Sequence, residues 1–540
     1  MPGLHMIART LTDDLQAAVD AKARSAAEAG IGGRIWASDD TVWGPAGQPE
    51  VADRLGWLDI ADRLRAEADD LVAFARTVAA EGKTDVVLLG MGGSSLAPEV
   101  LRRSHGTGDC LLSLHVLDST DAGAVASTAA AIDLDRTLFV VSTKSGGTIE
   151  TLGAFATFWE RKPDGQHFVA ITDPGSPLVS LAAEHDFRRT FLNDPEIGGR
   201  YSALSYFGLV PAALIGADVG GLLDSAIGEA GRCRSDAPEE NEGLWLGAAL
   251  GALAEAGRDK LTWFVCEPLG SLGLWLEQLV AESTGKQGKG ILPIADEPPG
   301  PPGVYGEDRV FVHVRNTARP TEQHDSALAA LAAAGHPVLT IPSDGSPTDL
   351  GRLFFLTEYA VAVAGWALGI NPFDQPNVAE AKAATSAVLE EFQGSGVLSE
   401  EADGDPLSLV EGAAPPSYVA IMGYVEGSDA LDAAAAELRV AVREKTRTAT
   451  TFGYGPRFLH STGQLHKGGP PTGRFLQLVH RADEDVAIPG ASYGFETLKA
   501  AQATGDLRTL RAHGLPAERV TLAGDPVTAI RSLTHQIKES

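Results

Sequence analysis

Ser142-Thr-Lys-Ser-Gly-Gly-Thr148 lies between the apolar run Leu138-Phe-Val-Val and a helical stretch over residues 150–159. A short unbroken apolar run reads as a strand covered on both faces, the habit of a parallel sheet flanked by helices. Hydroxyls, free N–H groups, a lysine and a helix start then converge on one βα turn, a combination that suits a monoester phosphate. The competing reading is a polar turn with a solvated lysine. The same arrangement recurs upstream, where Val86-Val-Leu-Leu leads into Gly90-Met-Gly-Gly-Ser-Ser95 and a helix from Leu96. Glycines there let a ligand approach the backbone, and a helix N-terminus attracts an anion. A dinucleotide fingerprint competes, since Asp118 closes the next strand, Leu114-His-Val-Leu. However, Ser95 stands where the third glycine of G-x-G-x-x-G belongs. Two such loops on neighbouring strands suggest one anion plus a polyol rather than a long dinucleotide.

Working outward, residues 167–171 read as a further strand, so the rhythm is βαβ and the sheet mostly parallel. A second α/β set starts near Lys260 (Leu261-Thr-Trp-Phe-Val) and continues through Val310-Phe-Val-His-Val and Pro337-Val-Leu-Thr-Ile. It ends in helices over 353–370 and 378–391. Residues 8–82 read as helical around a loop at 30–47. Stretches 297–303 and 394–416 are loop-like. The tail, 418–540, mixes a strand at Phe475-Leu-Gln-Leu-Val with helices over 430–446 and 495–504, and is expected to pack on the second unit. The expected division is an N-terminal helical segment (1–84), a first phosphate-binding unit (85–258), a second unit carrying catalytic groups (259–392) and an α/β extension (393–540).

A chain of 540 residues exceeds one ordinary core, in keeping with several units. Its net charge of −29, from 43 basic and 72 acidic side chains, argues against a nucleic-acid or anionic-membrane binder. A small anion remains compatible if a few cations converge on it. Cys110, Cys233 and Cys266 form no CxxC pair, disulfide framework or zinc motif, which fits a reducing cytosol. The N-terminus lacks a signal-peptide core and the apolar stretches break short of a membrane span, so a soluble, cytoplasmic protein is expected.

Four further motifs carry candidate chemistry. In Gly198-Gly-Arg-Tyr-Ser, two glycines allow a tight turn that aims the Arg200 guanidinium; the alternative is a helix-start arginine paired to an acid. Glu282-Ser-Thr-Gly-Lys286 ends an apolar helical run, which makes Glu282 either a base tuned by burial or a solvated helix-end carboxylate. Asn371-Pro-Phe-Asp-Gln-Pro-Asn-Val turns into a helix bearing Lys382, which points back toward the turn or lies on the surface. His460-Ser-Thr-Gly-Gln-Leu-His-Lys is a polar segment of the kind that carries proton transfer. No third ligand stands at metal-site spacing beside its two histidines.

Together these motifs resemble the glucose-6-phosphate isomerase family, which is built from two sugar isomerase (SIS) domains of flavodoxin-like type. The resemblance runs through residues 86–382. It implies an α/β protein and places substrate and phosphate binding on Gly92, Gly93 and Ser94 and on Thr143, Lys144, Ser145 and Thr148. It places the catalytic arginine on Arg200, the enediol base on Glu282, and the active-site glutamine and lysine on Gln375 and Lys382. Thr284 and Asn377 depart from the family's Asn and Gly. The family's ring-opening histidine normally lies between the ESNGK-like and DQ-like motifs. Here the matching segment begins at His460, after Lys382, which implies a rearranged chain order; His466 and His324 are the alternatives. The C-terminal arrangement also resembles the isomerase half of transaldolase–isomerase fusions, although residues 1–84 are too few for a transaldolase barrel. The resemblance implies reversible isomerisation of glucose 6-phosphate and fructose 6-phosphate, a homodimer, no cofactor and no metal. Isomerisation of mannose 6-phosphate, which Thr284 keeps open, and a non-catalytic sugar-phosphate sensor are the alternatives.

Overall fold

The computed structural model describes residues 6–106, 111–399, 401–482 and 484–540. Cys110 lies outside the described residues. The N-terminal segment forms helices Asp13–Glu28, Ile31–Trp36, Ile60–Arg65 and Ala68–Ala80, preceded by a short strand, β1 (Ala8–Thr10). That strand was not expected: three exposed residues carry no periodicity to read.

The first sheet holds β2 (Asp85–Gly90), β3 (Ser113–Leu117), β4 (Thr137–Ser142), β5 (Phe168–Thr172) and β6 (Arg189–Leu192). All pairs are parallel, in the order β3-β2-β4-β5-β6. Counted within the sheet this is 2-1-3-4-5, the flavodoxin-like winding, whose ligand crevice opens beyond the carboxyl ends of the first and third strands. Those strands are β2 and β4, and their ends carry the two glycine-rich loops. Val86–Leu89 and Leu138–Val141 are wholly buried, as unbroken apolar runs in a doubly covered sheet must be.

The second sheet holds β7 (Lys260–Val265), β8 (Leu292–Ile294), β9 (Arg309–Asn316) and β10 (Val338–Ser343) in the order β10-β9-β7-β8. These four are parallel, and β1 adds antiparallel to the β10 edge with Ala8 opposite Thr340. The third sheet, β11 (Tyr418–Tyr424), β12 (Ala449–Tyr454), β13 (Gly473–Val479) and β14 (Ala517–Thr521), is parallel in the order β12-β11-β13-β14. The third sheet therefore repeats the 2-1-3-4 start of the first, and in the second sheet β7 likewise lies between β8 and β9.

The tail packs on both preceding units, not on the second alone. Ile488, Phe495 and Leu498 share a core with Phe139, Phe155 and Phe168, while Tyr418, Phe458 and Leu465 share one with Ala281, Leu292 and Ile294. The stretch expected as loop over 394–416 contains the helix Pro406–Glu411, begun by Asp405, whose carboxylate accepts from the N–H groups of Leu407 and Ser408. An aspartate cap followed by proline is a legible start signal there. Among the described residues, no helix is long and apolar enough to cross a membrane.

Candidate active site

Glycines set the floor of the cleft by letting separate chain turns touch. A Cβ on Gly93 would lie 2.0 Å from the Gly199 carbonyl oxygen, so only glycine lets the Arg200 turn rest on the first loop. Gly92 has φ +55°, and a Cβ there would come within 2.8 Å of the His460 carbonyl oxygen. The two βα loops are tied together as Ser142 Oγ donates to the Ser94 carbonyl at 3.3 Å.

Arg200 is buried at 2% exposure and its Nη1 lies 2.9 Å from Glu282 Oε1. The guanidinium also donates to Gln375 Oε1 at 3.1 Å and to the carbonyls of Pro372 and Asp374 at 2.9 Å each. Arg200 is thus both aimed by its glycines and paired to an acid, and that acid is Glu282. The helix Leu272–Thr284 brings Glu282 in on its last turn. Leu276, Leu279 and Val280 on that helix are at most 1% exposed, and each such side chain contributes about 1.5–3 kcal/mol of burial. One turn before the acid, Gln278 Nε2 donates to Glu282 Oε2 at 3.0 Å and to the His460 carbonyl at 2.8 Å. The carboxylate is therefore held on both oxygens. Gln278 escaped the sequence reading because it looks like one polar break in an apolar helix.

His460 enters from the connection between β12 and β13 of the third sheet. Its Nε2 lies 3.0 Å from Glu150 Oε1, which also accepts from Gln502 Nε2 at 2.8 Å. Burial alone would raise the Glu150 carboxyl; the charge and hydrogen bond of His460, its own backbone N–H and the charge of Lys382 hold it below the usual range. Lys382, Thr148, Glu150, His460 and Gln502 line a cavity of about 190 Å³. Glu150 was within reach of sequence reasoning, two residues beyond Thr148 in the same motif. Gln502 carries no local signal, since it belongs to a helix 352 residues further on.

At the phosphate-type loop, Ser145 is exposed, and the hydroxyls of Thr143 and Thr148 lie 2.8 Å apart at the start of the helix Ile149–Arg161. Thr148 is the cap residue, but its side chain makes no capping bond and its hydroxyl pairs with that of Thr143 instead. Lys144 faces elsewhere: its ammonium is bound to Asp173 and, at 2.9 Å, to the Pro195 carbonyl. The loop's cation is therefore shared with a carboxylate.

The departures from the family pattern also have places. Thr284 Oγ1 donates to the Val280 carbonyl at 2.8 Å and accepts from the Ile291 N–H at 2.9 Å, which ties its hydroxyl to the backbone. Asn377 pairs with Gln464: its N–H donates to Oε1 at 2.9 Å and its Oδ1 accepts from Nε2 at 2.8 Å. Gln464 also donates to the Gly285 carbonyl at 3.0 Å. The His460 segment is thereby bonded to both second-unit motifs. Lys286 pairs with Asp374 at 2.7 Å, and burial, then the charge of Arg200, pushes its ammonium down to about 7. The alternative histidines lie apart. His466 sits among Tyr418, Phe458 and Phe475, with no partner on either ring nitrogen and burial pressing its pKa down to about 3. His324 stands beside Cys266 and His313.

Several known proteins are similar to this chain. The phosphoglucose isomerase family model matches residues 59–295. The glucose-6-phosphate isomerase of Rubrobacter xylanophilus is 31% identical over 380 residues, covering 60% of this chain and 87% of that protein. A probable glucose-6-phosphate isomerase of Haloarcula marismortui is 31% identical over 346 residues, 56% of this chain and 78% of its own. Among solved structures, a hypothetical protein from Thermus thermophilus superposes with TM-score 0.62 at 25% identity, covering 71% of this chain and all of that one. A glucose-6-phosphate isomerase from Chlamydia trachomatis shares the fold at TM-score 0.53 and 21% identity, over 67% of this chain and 78% of that one.

Proposed function

The chain belongs to the phosphoglucose isomerase family, and we propose that it interconverts D-glucose 6-phosphate and D-fructose 6-phosphate through a cis-enediol. The observation that carries the proposal is the buried Glu282 carboxylate fixed between Arg200 and Gln278. Glu282 moves the proton between C2 and C1; a positioned base is worth roughly 10²–10⁴ in rate. Negative charge grows on the enediol oxygens, and Arg200, already desolvated, stabilises it by about 3 kcal/mol. His460, backed by Glu150 and with Lys382 nearby, serves the ring oxygen during opening. Ser145, Thr148 and the start of the helix Ile149–Arg161 anchor the phosphate. Gly92, Gly93 and Ser94 floor the sugar site, and Gln375 fixes Arg200 from the other side.

The mannose 6-phosphate reading rests on Thr284, whose hydroxyl is spent on backbone. A sensor needs only the phosphate loop and has no use for the Glu282–Arg200 and Glu150–His460 pairs. We extend the family reading to a cytosolic homodimer, for which sedimentation at assay concentration is the check. The functional test is a coupled assay: purified protein converts fructose 6-phosphate, and NADPH is followed through glucose-6-phosphate dehydrogenase. Turnover of fructose 6-phosphate well above that of mannose 6-phosphate is expected. A phosphate-dependent thermal shift without turnover would replace the enzyme by a sensor.

A further inference from the structure

In the second sheet the winding puts the ligand crevice between β7 and β9. Near that crevice stand Cys266, just after β7, His313, within β9, and His324, in the first turn of the helix Glu322–Ala333. Cys266 follows β7, and its N–H donates to the Val314 carbonyl at 3.0 Å. Phe264 pairs with His313 in the register of β7 and β9, so alternation brings Phe264, Cys266 and His313 to one face. The helix Glu322–Ala333 covers that face, with Leu328 and Leu331 packed on Phe264 and Phe311, and its first turn brings in His324.

The donor atoms converge. Cys266 Sγ lies 3.3 Å from His313 Nε2 and 3.8 Å from His324 Nδ1, and all three atoms fall within 4.8 Å of one another. Zinc–sulfur bonds of about 2.3 Å and zinc–nitrogen bonds of about 2.0–2.1 Å at a tetrahedral angle require sulfur and nitrogen roughly 3.6 Å apart. The two observed separations bracket that value. Behind His313, its Nδ1 lies 3.8 Å from Asp325 Oδ1, and Asp325 is fixed by two 2.8 Å bonds from Arg315. A carboxylate behind a ligating imidazole is the usual outer partner of a metal-binding histidine. Cys266 and His313 are buried while His324 is half-buried, so the trio is open on one side.

We propose that Cys266, His313 and His324 bind one zinc-class divalent ion, with water completing a four-coordinate site. The chemistry of the donors selects such an ion: one thiolate and two imidazoles suit zinc, whereas magnesium and calcium take oxygen ligands. Burial pushes the Cys266 thiol up, but hydrogen bonds with His313, His324 and Thr321 and from the Asn316 N–H bring it down to about 5. The ion joins β7, β9 and the helix Glu322–Ala333. The ion thereby clamps the second unit, while Glu282 stands on the last turn of the helix Leu272–Thr284 that follows β7. Because 47 and 58 residues separate Cys266 from its partners, no spacing motif announces the site.

The test uses the 540-residue chain stripped with a chelator and titrated with Co²⁺ and then with Zn²⁺. One equivalent of Co²⁺ should give a sulfur-to-cobalt charge-transfer band with the d–d bands of a four-coordinate ion, and Zn²⁺ should quench both and raise the melting temperature. Cys266→Ser should abolish the charge-transfer band, and His324→Ala should weaken binding at least tenfold, with isomerase turnover unchanged in both. If Cys266→Ser does not fold, His324→Ala decides the matter, because its ring is half exposed. Absence of the band at one equivalent in the native chain, or full-strength binding in His324→Ala, overturns the proposal.

Discussion

Replacing Glu150 with glutamine removes one negative charge from a buried position while keeping the side chain's shape. In the native site one oxygen, Oε1, accepts from both His460 Nε2 and Gln502 Nε2. An amide oxygen placed there keeps both acceptor contacts, so the change strips charge rather than geometry. A hydrogen bond to a charged group contributes about 1.5–3 kcal/mol. If that stabilises His460 while it protonates the ring oxygen, its loss slows ring opening about 10–150-fold, at 1.4 kcal/mol per decade. The assay is deuterium uptake at C1 followed by NMR, run on fructose 6-phosphate and on 5-deoxyfructose 6-phosphate, which lacks the hydroxyl that closes the furanose ring. Glu150→Gln should slow exchange on the closed-ring substrate and leave the open-chain one unchanged. Equal slowing on both substrates would refute the ring-opening role of the pair.

Gly93→Ala drives a Cβ to 2.0 Å from the Gly199 oxygen and must shift the Arg200 turn. A displacement of about 1 Å at a catalytic group costs about 10²-fold, so kcat should fall by that order, and because the clash is with backbone the melting temperature should fall too. The Ser145→Ala/Thr148→Ala double variant should raise KM more than it lowers kcat in the coupled assay, since the loop anchors phosphate through ground and transition states alike; the reverse split would contradict a pure anchoring role. His466 has a folded pKa of about 3 against an ordinary 6.5, so the unfolded chain binds the extra proton between those values. Stability is therefore lost as pH falls through about 6.5 toward 3, by up to about 1.4 kcal/mol per unit from this group. Urea midpoints at pH 7 and pH 5 should show a smaller acid loss in His466→Phe than in the native chain.

The βα loops were legible because their parts are local: an apolar run, glycines and a helix start within a dozen residues. Arg200, Glu282 and Gln375 were each readable as motifs, but nothing local says that one guanidinium bonds both the acid and the amide. That contact depends on how two sheets and their helices meet. His460 was legible only by its neighbours' pattern, and Gln464 shows why that pattern works, since its amide bonds Asn377 and Gly285 in two earlier motifs. Gln278 and Gln502 were missed because single glutamines within helices carry no distinguishing period. The strand β1 was missed because three residues cannot show alternation. The Cys266 trio was missed because its members come from the end of β7, the interior of β9 and a helix start, brought together only by the tertiary fold.

The most direct test of the account is solvent exchange by Glu282→Gln. Glutamine keeps an acceptor for Arg200, and Arg200 retains its bonds to Gln375 and to the carbonyls of Pro372 and Asp374, so the fold and sugar-phosphate binding should persist. In D₂O the native protein should place deuterium at C1 of fructose 6-phosphate and C2 of glucose 6-phosphate as it interconverts them. The variant should bind the sugar phosphate yet lose both exchange and turnover by roughly 10²–10⁴-fold. Exchange and turnover at the native rate in Glu282→Gln would contradict the account.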